Sequence, residues 1–407
     1  MRSSKVKVLM NAAKYITLIF IIIVSVLIPL KVADRLIGKD LHIEKIVAAA
    51  PFARSLILRD MEPNYDQNWT PSDAYMRNAE NLEQKPYRIR TDENGFILGP
   101  DDFSRAHGAE KVDIIFFGGS TTECGYVDEE FRFPYLVSKK IKHTNGASVI
   151  SLNGGVSGNH AVHSLLYFIG KGIPEKPSYI VLMHAINDLV ILSKTKSYWN
   201  APKTRSIIQT LNISPVENDL RTLQSSSADN FISKQIRRRF PNIWFKISQL
   251  SSSQESLENA VADEWAPFRD DSASSEVLKE ILISEFSSAI RSSVSLARAW
   301  GIEPILMTQF NRINEDDEFV RRQYESWKQP ISYTDFVVLY KMSNDIIRSI
   351  ASAEGVHLID LDRELNGSRK LMYDSVHLNS EGSKLVADII SKSLSRKFDF
   401  KYEASSD

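Results

Sequence analysis

The chain has 407 residues, 43% of them hydrophobic and 25% charged, enough apolar material for a full-sized core in one large domain carrying additions. Fifty basic residues against 51 acidic ones leave a net charge of −1, so no overall field draws in nucleic acid or an anionic surface. The single cysteine, Cys124, excludes an internal disulfide framework and a cysteine-built metal site, and leaves the compartment to be read from other features.

At the N-terminus, Arg2, Lys5, Lys7 and Lys14 precede the run YITLIFIIIVSVLIPL at residues 15–30, and no acidic residue occurs before Asp34. Sixteen residues at 1.5 Å each span roughly 24 Å, a little short of a ~30 Å hydrocarbon core, but Lys14 and Lys31 can snorkel and residues 10–13 can extend the helix. The run lacks the polar face of a core helix. We expect a cytoplasmic N-terminus over 1–14 and a single-pass anchor over 15–31, with the rest of the chain outside, periplasmic or extracellular. A cleaved signal peptide is the competing reading, against which no small-residue cleavage site follows the run closely.

Residues 32–110 read as a linker with a small accessory element. Within them, YRIRTDENGFILG at 87–99 alternates apolar and polar positions on either side of Asp92, Glu93, Asn94 and Gly95, which predicts a strand, a turn and a second strand.

From Val112 the pattern changes to apolar runs of strand length separated by helical stretches. The runs are 112–117, 148–153, 179–184, 303–308 and 356–361, with helical candidates at 334–354 and 380–396. They predict an α/β domain over 111–398, with a central parallel sheet of about five strands covered by helices on both faces, and a tail at 399–407. Ligands of such sheets bind beyond the carboxyl ends of the strands. There the sequence places Gly118, Gly119 and Ser120 after the first run, GGVSGN at 154–159 after the second, and AIND at 185–188 after the third. Asp374 and His377 stand just before the last helix.

Taken singly, these pieces are weak. GGST is equally a strand-ending turn or a phosphate-binding loop, although it lacks the G-K-[ST] of a P-loop. An acid three residues before a histidine also occurs at Glu354 and His357, where His357 reads as a strand residue with a satisfied ring. His160 and His163 read as structural residues rather than metal ligands, no carboxylate partner being evident. Cys124 reads as a small buried hydrophobe.

Taken together and in order, they resemble the SGNH, or GDSL-like, hydrolase superfamily over roughly residues 110–398. The resemblance implies a flavodoxin-like three-layer α/β/α fold, in which Ser120 matches the block I nucleophile, Gly158 the block II glycine, Asn187 the block III asparagine, and Asp374 with His377 the block V D-x-x-H. On that basis His377 is the base for the Ser120 hydroxyl and Asp374 holds its other ring nitrogen. The backbone N–H groups of Ser120 and Gly158 and the Asn187 amide would form the oxyanion hole. No cofactor or metal is implied. Two positions depart from the usual pattern: Gly119 replaces the aspartate common before the serine, as in a G-G-S-T branch, and Ala185 replaces the glycine of G-x-N-D, which is expected to narrow or reshape the floor of the oxyanion site.

Residues 193–280 read as an insertion leaving the catalytic edge, suited to a substrate-selecting lid. They carry Trp199, Trp244 and Trp265, which could supply faces for sugar rings, and a basic cluster of Lys234, Arg237, Arg238 and Arg239 that reads as a solvated helix face rather than a glycan or lipid contact. The expected activity is a serine esterase acting on an O-acyl group, in the first place acetyl, of a surface or secreted polysaccharide. The same residues would serve an acyltransferase with a sugar hydroxyl as acceptor, or a lipase or thioesterase. A non-catalytic glycan-binding or assembly protein is the reading from another class. The expected partners are the ester substrate and the membrane; nucleic acid is not among them.

Overall fold

A computed structural model describes residues 25, 27–40, 53–100, 111–200, 205–211, 239–240, 243, 274–327, 329–365 and 369–403. The chain divides into two compact units, one of residues 1–56 with 208–264, the other of residues 57–207 with 265–407.

The second unit carries the expected sheet. Its first two strands, β1 (Asp66–Trp69) and β2 (Tyr87–Arg90), form an antiparallel pair. The central sheet follows with β3 (Ile114–Gly118), β4 (Ser151–Gly155), β5 (Tyr179–Met183), β6 (Glu303–Met307) and β7 (His357–Ile359). All neighbours are parallel, in the order β7-β6-β5-β3-β4. Counted along the chain, this is the 2-1-3-4-5 order of flavodoxin-like sheets. Apolar side chains alternate across it: Ile115 and Phe117 of β3 enter one buried cluster, Ile114 and Phe116 the other. The strands therefore read as unbroken apolar runs because both faces are covered.

Around Ser120 and along the sheet lie α1 (Ser120–Glu123), α2 (Phe133–Lys140), α3 (Ala161–Tyr167), α4 (Ile186–Thr195), α5 (Ser287–Ala299), α6 (Tyr333–Glu354) and α7 (Ser380–Lys397). Helices α3, α4, α5 and α6 contribute to one cluster, α2 and α7 to the other. Local signals set the ends of the long helices. Ser332 caps α6 by accepting the Asp335 N–H, and Gly355 stops it at φ 62°. Asn379 caps α7 by accepting the Gly382 N–H at 3.0 Å, two residues after His377.

Residues 57–100, expected as linker and accessory element, pack within this unit. The turn forms as the sequence suggests, with Gly95 at φ 84° and the Asp92 carboxylate accepting the N–H groups of Asn94 and Phe96. The expected second strand does not form. Phe96 instead buries completely, and Ile97 makes single bridges to Thr91 and to Asn153 of β4. Burial of Phe96 in the core cluster takes precedence over extending the hairpin.

The described part of the first unit contains a helix, Ile28–Asp40, which runs past the expected anchor end at Lys31. Asp34 accepts the Ile243 N–H at 3.0 Å, and Ala53–Leu56 pairs antiparallel with Ile208–Leu211. No helix among the described residues is long and apolar enough to cross a membrane; residues 15–24 of the expected anchor lie outside them, as do Trp244, Trp265, Lys234, Arg237 and Arg238.

Candidate active site

At the carboxyl end of β3 the chain turns sharply into α1, which presents Ser120 on the first residue of the helix. Ser120 Oγ lies 2.7 Å from His377 Nε2, and His377 Nδ1 lies 2.7 Å from Asp374 Oδ2. The two halves of this chain of contacts are 257 residues apart in sequence. Asp374 also shapes the turn that carries the histidine: its Oδ1 accepts the N–H groups of Val376 and His377 at 2.9 and 2.8 Å. The Tyr373 ring stacks on the imidazole, with centroids 5.5 Å apart and planes at 4°. Burial alone would lower the pKa of His377, but the charge and hydrogen bond of Asp374, with Glu123 behind them, outweigh it and raise the imidazole above its ordinary value.

The other expected residues meet at the same place. Gly158, at φ 76°, lies in the turn after β4, where the Val156 N–H donates to the Gly118 carbonyl and holds this turn against the Ser120 turn. The Asn187 Nδ2 donates to the Asn159 carbonyl at 3.0 Å. That amide explains Gly119: a Cβ there would stand 2.3 Å from Asn187 Nδ2, so an aspartate does not fit against the asparagine in this packing. Ala185 is buried in the core cluster at the start of α4, with φ −170° and ψ −63°.

His160 and His163 are fully buried and stack on each other with centroids 3.6 Å apart, His160 also on Tyr198. No group of three or more metal-ligating side chains occurs among the described residues. His357 contacts Ser393 Oγ at 2.9 Å. Cys124 is buried, and desolvation pushes its thiol up to about 12, so it has no thiolate to offer.

Several residues at the site carried no motif. Gln309, just beyond β6, accepts the Ile186 N–H at the start of α4 and donates to Thr121 Oγ1, both at 2.8 Å, while Tyr340 donates to its Oε1. One buried side chain thus ties the segment bearing Asn187 to the turn bearing Ser120. Glu123 is buried and accepts the Ser157 N–H at 2.8 Å and the Ser157 hydroxyl; desolvation raises its carboxyl, and the bonds from Ser157 oppose that rise. Tyr75 packs on Tyr126 at 4.9 Å and on Tyr373 at 6.4 Å, and the Trp69 ring approaches Gly125 beside the Glu123 carboxylate. This half-buried aromatic rim comes from Trp69 and Tyr75, ahead of the alternating stretch at 87–99, and from Tyr126 in the loop after α1, none of them within a periodic run or a motif. The aromatic contribution was expected from the insertion instead; of its tryptophans only Trp199 is described, and it is 61% exposed.

A surface depression of about 620 Å³ lined by Lys111, Lys176, Trp300, Glu303 and Phe398 lies at the amino ends of the strands, the edge that does not bind ligands in parallel sheets.

Among known families, a model described as the SGNH domain (fused to AT3 domains) matches residues 245–392, a stretch that includes Asp374 and His377 but not Ser120, Gly158 or Asn187. No curated protein matches the chain. Similar solved structures include a lipase/acylhydrolase from Enterococcus faecalis, 14% identical, covering 72% of this chain and 100% of that one at a TM-score of 0.38. A form of an acetylxylan esterase from Geobacillus stearothermophilus is 15% identical, with 71% and 97% covered and a TM-score of 0.36. A putative acylhydrolase from Bacteroides fragilis is 15% identical, with 74% and 98% covered and a TM-score of 0.37. Likeness at this level says nothing of substrate. The domain match and the Ser120–His377–Asp374 geometry agree on an ester-hydrolysing serine enzyme.

Proposed function

We propose that this chain is a serine esterase that removes a short O-acyl group, acetyl in the first place, from a polysaccharide outside the cytoplasm. The observation that carries the reaction is the unbroken line of 2.7 Å contacts from Ser120 Oγ through the imidazole to Asp374. Ser120 Oγ attacks the ester carbonyl as its proton passes to His377 Nε2. The N–H groups of Ser120 and Gly158 make no hydrogen bond among the described residues and, with the second amide proton of Asn187, are left to receive the oxyanion. Collapse of the tetrahedral intermediate breaks the ester C–O bond, and the sugar hydroxyl leaves with the proton from His377. Water then attacks the acyl-enzyme with the same histidine as base, freeing the acid and Ser120.

The carbohydrate part of the reading rests on the rim of Trp69, Tyr75 and Tyr126, flat apolar faces with polar edges of the kind against which sugar rings pack. The anchor at 15–31 belongs to the same proposal, since it would hold the site among surface glycans. The test is a side-by-side measurement of acetate released from acetylated polysaccharide and fatty acid released from long-chain esters, with Ser120→Ala as the blank. Acetate release at much the higher kcat/KM is expected; preferential long-chain cleavage would turn the reading to a lipase or thioesterase. Adding an unacetylated glycan and following its gain of acetyl groups separates hydrolysis from transfer.

A further inference from the structure

Next to the catalytic turns lies positive charge that the acyl chemistry does not use. Arg59 and Arg205 approach from segments paired through the Ile57 N–H and the Ile207 carbonyl at 3.0 Å. Both reach the carbonyl of Gly158: Arg59 Nη1 at 3.3 Å and Arg205 Nη1 in a shorter contact, while Arg59 Nη2 donates to the Ser157 carbonyl at 3.2 Å. The Arg205 guanidinium lies so close over the α-carbon that a methyl group at Gly158 would stand 1.8 Å from Nη1. The next residue, Asn159, holds Asn187 through its carbonyl, and that carbonyl lies 3.2 Å from where a Gly119 Cβ would be. The pair is therefore built into the turn that flanks Ser120.

Neither arginine has a carboxylate at ion-pair distance among the described residues, and both are half-buried. Glu123 is close enough to favour the charged form of Arg59, but burial and the neighbouring Arg205 outweigh it and lower the Arg59 guanidinium to about 10. Two like charges held together at the rim of a reaction site, with most of their N–H donors unspent, are complementary to an anion.

We propose that Arg59 and Arg205 form a subsite beside Ser120 for an anionic oxygen group, a carboxylate, sulfate or phosphate, carried by the ester substrate. The preferred substrate is then an acylated acidic glycan, with its sugar ring against the aromatic rim and its charge on the arginine pair. This deepens the esterase reading and rests on it.

The experiment compares kcat/KM of the full-length chain for acetylated glucuronate and acetylated glucose. Wild type should favour the acidic ester by about tenfold or more at low salt, the preference shrinking as salt is added. In Arg59→Gln and Arg205→Gln the ratio should fall several-fold, roughly 3- to 10-fold, whatever each change costs on both esters alike, and Arg59→Lys should retain part of it. Equal turnover of the two esters by wild type, or a ratio that survives both glutamine variants, would overturn the subsite. If wild type hydrolyses neither ester, the esterase reading has failed, and calorimetric titration with glucuronate and with inorganic sulfate decides the subsite separately. Saturable binding weakened in Arg59→Lys supports it, and absence of binding to both anions ends it.

Discussion

At the scale of single residues, the site depends on a few atoms whose worth is measurable. Asn187 already spends one amide proton on Asn159, so only the other is free for the oxyanion, and its contact matters chiefly when negative charge develops. Asn187→Ala should lower kcat by about 10²–10³, roughly 2.7–4 kcal/mol, with little change in KM; a change in KM alone would move Asn187 to ground-state binding. His377 must be neutral to act as base. Because Asp374 and Glu123 hold its pKa above the ordinary value despite burial, activity should be lost as pH falls through a midpoint above ~6.5. Asp374→Asn should move that midpoint down and cut kcat by about 10³–10⁴, and an unchanged acid limb would show that another group controls it. These residues were legible because Asn187 follows a strand end and Asp374 with His377 precedes the last helix, each within a short motif. Arg59, Arg205 and Glu123 were not, since nothing in their local sequence distinguishes a guanidinium bound to Gly158 from one in water.

At the scale of elements, the five strands follow from apolar runs that both faces of the sheet require, and the register differs from the expected runs by three residues or fewer at each end. The hairpin after Gly95 shows where periodicity misleads: alternation describes Phe96 equally well as a strand residue and as a side chain dropped into a neighbouring core. Helix α3 carries a second, testable liability. His163, packed on His160 and within reach of the charges of Arg59, Arg205 and His184, has its pKa lowered to about 3, first by desolvation and then by the two arginines. His160 is also lowered, first by desolvation and then by His163. The unfolded chain takes up these protons near 6.5 and the folded chain does not, so stability is full above that value and declines as pH falls toward the folded pKa. The slope is about 1.4 kcal/mol per pH unit for each histidine. Urea midpoints taken between about pH 7 and pH 5 should fall for wild type, and less steeply for His163→Phe, which keeps the stacked ring without the titrating group. Parallel slopes would remove these histidines as the cause.

At the scale of the whole molecule, residues 57–100 are part of the catalytic unit. Arg312, fully buried, binds Glu80 at 2.9 Å and Asp317 at 2.7 Å, and its backbone N–H donates to Ser375 beside Asp374. The same Glu80 donates its own N–H to the Tyr373 carbonyl. This segment thus braces the loop that carries His377, an arrangement no local pattern announces because the partners are more than 200 residues apart. For the membrane proposal, a reporter fused after Asp407 should work only if it functions outside the cytoplasm, and the chain should sediment with membranes. A shortened soluble form beginning near residues 35–51 would show instead that the N-terminal run is a cleaved signal. The central claim is that Ser120, activated by His377, is the nucleophile, and the most direct measurement is the intact mass of the full-length chain after reaction with a fluorophosphonate. One adduct per chain, mapped to Ser120, absent from Ser120→Ala and greatly slowed in His377→Ala, is the predicted result; no adduct, or one that persists in Ser120→Ala, would contradict it.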